Sequence, residues 1–314
     1  MTKTIVVWLF ALICSALWGS AFPCIKLGYK MMDIGASDTG AQILYAGLRF
    51  TLAGILAVLI GSVSSKQLLY PRKSAISKVI ILSLFQTIIQ YLFFYIGLAH
   101  TDGTKASIIE GMNVFVAIIV SSLIFKMEKL TSRKIIGCII GFLGVFLVNV
   151  SGQSLDMNMT FTGEGFIFLS TVSYAFSSVM LKRFSKDENT VMLSGWQFVF
   201  GGIVMTIAGL MMGGRIYTFN RNGVLMLIYL ALVSAVAYSL WSLLLTYNPV
   251  SRVAVFGFMN PMIGFILSAI MLKEYDALSV VAFVSLALVC IGIYIVNKVK
   301  NDVQILNQSY SKMP

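Results

Sequence analysis

Stretches of about twenty apolar residues recur along almost the whole chain, and no other feature limits the fold so strongly. A hydrocarbon layer roughly 30 Å thick takes about 20 such residues per helix, because every backbone N–H and C=O within it must be bonded internally. The runs read as spans over residues 5–27, 42–62, 76–98, 104–125, 134–150, 163–181, 191–212, 223–246, 253–271 and 278–297. With 58% hydrophobic and 11% charged residues, the chain lacks the polar surface of a water-soluble domain. The connections are short, and a polar tail over 298–314 is the only sizeable remainder. The predicted fold is therefore an all-α integral membrane protein of ten transmembrane helices. Lys3 and the small residues from Ala16 to Ala21 give the N-terminus some features of a signal peptide, but the apolar run continues through Phe22 and Ile25. A retained first helix is expected.

The net charge of +11 would suggest a nucleic-acid partner in a soluble protein. In a membrane protein it is read loop by loop, since basic residues accumulate on the cytoplasmic side. With the N-terminus inside and basic residues near span ends counted with the adjoining loops, 16 Lys and Arg residues fall on the cytoplasmic side and 6 outside, and Arg49, deep within a span, completes the 23. This bias predicts both termini in the cytoplasm, an even number of spans and no nucleic-acid partner. The expected setting is the cell (inner) membrane, with the lipid bilayer and a small-molecule substrate as partners; a homodimer is compatible with the sequence. Cys14, Cys24, Cys138 and Cys290 all fall within spans, where thiols pack as small apolar groups. The Asn158-Met159-Thr160 triplet carries no functional weight.

Comparing the halves at an offset of 147 residues places Tyr91 and Phe94 on Tyr238 and Trp241, and Met112-Asn113 on Met259-Asn260. The fourth span carries Ser107, Glu110, Asn113, Ala117 and Ser121 at helical spacing, matched by Ala254, Gly257, Asn260, Gly264 and Ser268. Toward the start of each half the offset grows to 156, pairing Trp18 with Tyr174 and Lys26 with Lys182. Two five-helix units follow, residues 1–150 and 151–297. Five is odd, so the second unit enters the membrane inverted, an architecture common among secondary transporters.

Trp18-Gly19-Ser20 with Phe22 and Lys26, Leu48-Arg49-Phe50, the Tyr95-Ile96-Gly97-Leu98-Ala99 run, and the helix ends Lys126-Met127-Glu128 and Leu272-Lys273-Glu274 resemble the EamA-type drug/metabolite transporters over roughly residues 5–297. The resemblance implies a five-plus-five inverted fold, a central cavity lined mainly by spans 1, 3, 4, 6, 8 and 9, and export of amino acids or other metabolites. Val114 stands where the first half of such proteins often carries the proline that Pro261 supplies in the second, so a matching kink in the fourth span is not expected.

A charge in hydrocarbon is costly, so Arg49 and Glu110 need an explanation. Each lies about seven residues, or roughly 10 Å, inside the outer end of its helix, which suggests a structural ion pair between spans 2 and 4. Alternatively, Glu110 binds a substrate amine or a coupling proton. Trp18, Tyr91, Phe94, Tyr174, Tyr238 and Trp241 are candidates for a cavity wall; about half of them are expected to line it, the rest facing lipid. Gln90, Asn113 and Asn260 are candidate polar contacts to a substrate, whereas Gln86 is not. Gly47, Gly54 and Gly61, and Gly137, Gly141 and Gly144, read as close helix contacts.

His100 is the only histidine, so no histidine-based metal site assembles within the chain, and no phosphate-binding glycine loop is present. No enzyme activity, metal or cofactor is expected. A channel and a non-transporting scaffold remain the alternatives to a gradient-driven carrier.

Overall fold

A computed structural model describes residues 2–35, 37–101, 106, 109–150, 159–271 and 280–310, a few of them, including Phe22, Gly264, Ser268 and 299–310, by backbone alone. Lys105, Ser107, Asn158, Lys312 and the Leu272-Lys273-Glu274 helix end lie outside the described residues. Every regular element among those described is helical: α1 (Thr4–Met31), α2 (Thr39–Ser65), α3 (Lys73–Ser83), α4 (Gln90–Ala99), α5 (Asn113–Ile119), α6 (Ser132–Val150), α7 (Phe166–Phe184), α8 (Thr190–Met211), α9 (Arg221–Tyr247), α10 (Val250–Ala254), α11 (Met259–Met271) and α12 (Val280–Tyr310). A π-helical turn, Leu84–Ile89, joins α3 to α4 in one long helix, and another, Phe161–Gly165, opens α7. Six helices among the described residues are long and apolar enough to cross a membrane, and Ile109–Ile124, Val250–Ile263 and Phe283–Lys298 are shorter apolar helices.

The membrane-length helices extend a few residues beyond the apolar runs, and polar caps start several of them ahead of those runs. Asp38 accepts from the Ala41 N–H at 2.8 Å, Asn189 from those of Val191 and Met192, and Asn220 from that of Gly223 at 2.7 Å. Each satisfies amides that have no partner within the first turn.

Two long seams organise the packing. α2 runs antiparallel to α8, with Gly47 against Thr206, Gly54 against Gly195 and Val199, and Gly61 against Val191. The second helix answers with its own heptad, Gly195, Gly202 and Gly209, a pattern not singled out from the sequence. A Cβ added at Gly54 would lie 2.5 Å from the Gly195 carbonyl oxygen, so only glycine allows this approach. Thr51 and Thr206 turn their hydroxyls back onto the carbonyls of Gly47 and Gly202, at 2.9 and 2.8 Å. In the same way α6 runs antiparallel to α12, with Gly137 and Gly144 against the backbone of Gly292 and Ser285. The remaining principal contacts also come in pairs that exchange when the halves are exchanged. α1 packs on α9 as α7 packs on α4, and α1 packs on α11 as α7 packs on α5.

The fourth and ninth spans are irregular at matching positions. Val255–Phe258 is a 3-10 turn ahead of Met259 and Asn260. In the fourth span the Met112 N–H donates to the Ile109 carbonyl, three residues back, at 3.0 Å, immediately ahead of Asn113. The helix tightens at the equivalent place without a proline.

Candidate functional site

Between the helix pairs lies a cavity of about 180 Å3, lined from α1, α2, α4, α5, α7, α9 and α11. Trp18, Gln90, Tyr91, Phe94, Glu110, Asn113, Tyr174, Tyr238, Trp241 and Asn260 all line it. All six repeat-related aromatics are therefore on the wall, more than the half expected, because the interior of the bundle rather than its lipid face receives these helix faces. Gln86, one turn before Gln90, is buried but is not part of the lining.

The aromatic wall is continuous. Trp18 packs edge-on against Tyr238 and Trp241 with centroids 5.1 and 5.0 Å apart, and Tyr238 packs edge-on against Phe198, which stacks on Phe50. The hydroxyls of Tyr91 and Tyr238 are 2.9 Å apart. These two residues are separated by the repeat offset of 147. Two residues related by the repeat offset thus meet at the cavity wall.

Arg49 lines the same cavity, 5% exposed. The expected ion pair with Glu110 is not formed. Arg49 instead donates from Nε and Nη2 to the Ser234 hydroxyl of α9, at 3.2 and 2.9 Å, and its guanidinium lies 5.2 Å from the Phe50 ring centre. The close packing of α9 on α2 brings the Ser234 hydroxyl within hydrogen-bonding distance of the guanidinium. Among the described residues neither Arg49 nor Glu110 has an oppositely charged partner within 4.0 Å. The wall also holds buried polar atoms without a hydrogen-bond partner: the Trp18 indole nitrogen and the side-chain oxygens of Gln90, Asn113 and Asn260. Such atoms normally carry a free-energy cost.

Tyr95, Ser170, Thr171 and Ser178 also line the cavity and were missed from sequence. Tyr95 follows Tyr91 by four residues, and the other three flank Tyr174 at three or four. Helical spacing from the aromatics already chosen would have found them.

At one end of the bundle, polar residues tie the two halves together. Glu128, in the loop after the fourth span, accepts from the Ser121 hydroxyl and the Lys134 ammonium, both at 2.7 Å. It also accepts from the Ser251 backbone N–H at 3.0 Å and from the Ser251 hydroxyl, at the start of α10. Burial alone would raise the Glu128 carboxyl. The Lys134 charge and the hydrogen bonds from Lys134, Ser251 and Ser121 outweigh it, so the pKa falls below the ordinary carboxylate value.

The model of the EamA-like transporter family matches the chain twice, over residues 6–150 and 161–298. An uncharacterized transporter of Archaeoglobus fulgidus is 27% identical over 297 residues, 92% of this chain and 98% of that protein. A probable amino-acid metabolite efflux pump of Escherichia coli (strain K12) is 24% identical over 298 residues, 91% of this chain and 92% of that protein. A solved crystal structure superimposes with a TM-score of 0.75 over 95% of this chain and 98% of the other; at 14% identity the likeness is one of fold alone. Apolar helices of membrane length and a family match over both halves thus lead to one conclusion: the chain is a multi-pass membrane protein belonging to the EamA-like transporter family.

Proposed function

We propose that the protein is a secondary carrier of the cell membrane that exports a small metabolite, such as an amino acid or an amphipathic drug-like compound, by alternating access. Its ten spans form two inverted five-helix units, residues 1–150 and 151–297, with both termini in the cytoplasm. The observation that carries the reading is the Tyr91–Tyr238 contact: repeat-related residues that meet at the cavity support a site between the halves, where rocking of one half on the other exposes it to each side in turn. The antiparallel seams, the matched irregularities before Asn113 and Asn260 and the uncharacterized transporter relative support it. Substrate is held by Trp18, Tyr91, Phe94, Tyr174, Tyr238 and Trp241 as walls and by Gln90, Asn113, Asn260 and Glu110 as polar contacts. The Glu128–Ser251 tie closes the side that the charge bias assigns to the cytoplasm and must open for substrate to enter.

Counterflow in proteoliposomes tests this function. Saturable uptake that is accelerated by internal substrate supports a carrier; non-saturating flux indicates a channel, and no flux a scaffold. Orientation is tested separately with single cysteines and an impermeant thiol reagent on intact cells. Cysteines near Lys73 and Lys129 are expected to be protected and those near Asn158 to react, and the reverse pattern overturns the orientation.

A further inference from the structure

The long helix made of α3 and α4 is the repeat counterpart of α9, yet only the first contains a π-helical turn. α9 runs as unbroken α-helix from Arg221 to Tyr247, whereas α3 and α4 meet at Leu84–Ile89. The turn holds one residue that α9 lacks. α3 and α9 each follow an extended N-cap, Arg72 and Asn220, and their first residues, Lys73 and Arg221, are one position farther apart than Tyr91 and Tyr238. Burial follows the same count. Ahead of the turn, the buried Ala75 and Leu82 match the buried Gly223 and Leu230. At the separation of 147 that holds beyond the turn, they would fall on Asn222 and Tyr229, which are exposed. An extra residue in a regular helix rotates everything beyond it by about 100°. The π turn absorbs it, so both flanks keep their faces.

Packing does not demand the turn. α9 packs on α1 and α2 as α-helix throughout, and α3 with α4 packs on the equivalent pair, α7 and α8. The surroundings instead make room for it. A Cβ added at Gly201 of α8 would lie 2.6 Å from that of Thr87, and the Ser173 hydroxyl of α7 donates to the Phe85 carbonyl at 2.6 Å. Ser173 precedes Tyr174 as Leu17 precedes Trp18, so the counterpart in α1 has no hydroxyl to give. α3 packs chiefly on α8 and α4 chiefly on α7, and the turn touches both. The Thr87 hydroxyl donates to Gln197 Oε1 at 2.7 Å, while the buried Gln197 Nε2 and Gln86 Oε1 have no hydrogen-bond partner. An unused donor and an unused acceptor at the turn leave partners for a second arrangement of it.

We propose that Leu84–Ile89 is a hinge: α3 stays seated on α8 while α4, which carries Gln90, Tyr91, Phe94 and Tyr95 of the cavity wall, swings and parts the Tyr91 and Tyr238 hydroxyls. π turns are among the few features at which helices bend sharply. α9 has no equivalent joint, so the two halves do not move alike. The inference rests on the carrier reading only for the use of this motion.

Spin-label distances on the purified full-length protein in lipid nanodiscs test the hinge, in a background with Cys14, Cys24, Cys138 and Cys290 replaced by alanine. Labels at the exposed positions Ile76 on α3 and Leu98 on α4 are each paired with one at Ile207 on α8. The Ile76–Ile207 pair is expected to give one narrow distribution and the Leu98–Ile207 pair two populations. Deletion of Ile88, which Ile89 then replaces, removes the extra residue. It should give monodisperse protein that melts no lower than its background, with the Leu98–Ile207 pair reduced to one population. Deletion of Val236 from α9 has no spare residue to remove and should abolish folding. Like distributions for the two undeleted pairs overturn the hinge, and so do two populations that survive the Ile88 deletion. Equal tolerance or equal intolerance of the two deletions overturns the extra residue on which the hinge is built. The labels need no substrate. Two populations without counterflow would sink the carrier reading and leave the hinge standing, and counterflow with one population would do the opposite.

Discussion

Along the seam between α2 and α8, glycines let two backbones touch, and the seam threonines return their hydroxyls to their own helices. Around the cavity, large aromatics line the space, four buried polar atoms lack hydrogen-bond partners, and Arg49 and Glu110 have no oppositely charged partner among the described residues. Both regions are built from repeat-related residues, so repetition alone does not separate scaffold from site. What separates them is satisfaction. Lipid tails are as apolar as leucine, so helices associate through close packing rather than the hydrophobic effect, and a seam without gaps holds the halves' outer helices in place. A region that leaves polar groups unpaired pays for it in stability and gains affinity when a ligand supplies the partners.

The comparison breaks most visibly at the seam. Gly54→Leu with Gly202→Leu forces two side chains into backbone, at about 1–3 kcal/mol each or more where backbone cannot yield, a large part of a typical total stability of about 5–15 kcal/mol. No monodisperse protein is expected by fluorescence-detected size exclusion. Recovery of wild-type yield would remove the distinction between seam and cavity.

The next effect falls at the tie between halves. Glu128 and Lys134 are each 9% exposed, and Glu128→Ala leaves the ammonium uncompensated, costing about 3–5 kcal/mol by the usual measure of a broken buried pair. Glu128→Gln keeps acceptor capacity and should cost less. Because the folded-state pKa is depressed, the stability that this carboxylate contributes is fully present above its ordinary value of about 4.5 and is lost as pH falls below that through the lower folded value. A thermal melt series from pH 7 downward should show that loss in wild type and a flatter profile in Glu128→Gln.

A smaller effect is expected at Trp241. It is 4% exposed and belongs to the apolar core, so truncation to alanine would confuse packing with binding. Trp241→Phe keeps most of the volume; folded yield should hold while substrate affinity falls a few-fold. A drop in yield with unchanged affinity would assign Trp241 to the core alone.

The finest discrimination comes from the amides. The Asn113 and Asn260 oxygens are buried and accept no hydrogen bond from the described residues, so Asn113→Ala and Asn260→Ala should leave the melting temperature unchanged or raise it. Each should weaken substrate binding by about 0.5–1.5 kcal/mol, more if the partner is an ammonium. Lower stability with unaltered affinity would make both amides structural.

Much of this was legible in the sequence. Apolar runs located the membrane-length helices to within a few residues, and part of the remaining difference came from polar caps such as Asn189 and Asn220, which start helices ahead of those runs. The repeat offset named Tyr91 with Tyr238 and Asn113 with Asn260, and helical periodicity put each on the face that lines the cavity. Such features arise from spacing along one helix, which a linear sequence contains in full.

The tertiary structure alone decided which groups meet. Arg49 and Glu110 line one cavity, yet Arg49 turns to Ser234, 185 residues away. Glu128 is bound by Ser251, 123 residues on, and the second glycine heptad becomes meaningful only when Gly195 faces Gly54. Depth in the membrane is a one-dimensional property and follows from residue count. Partnership depends on the rotation and lateral neighbours of each helix, which side-chain volume and backbone approach settle together only when the whole bundle packs.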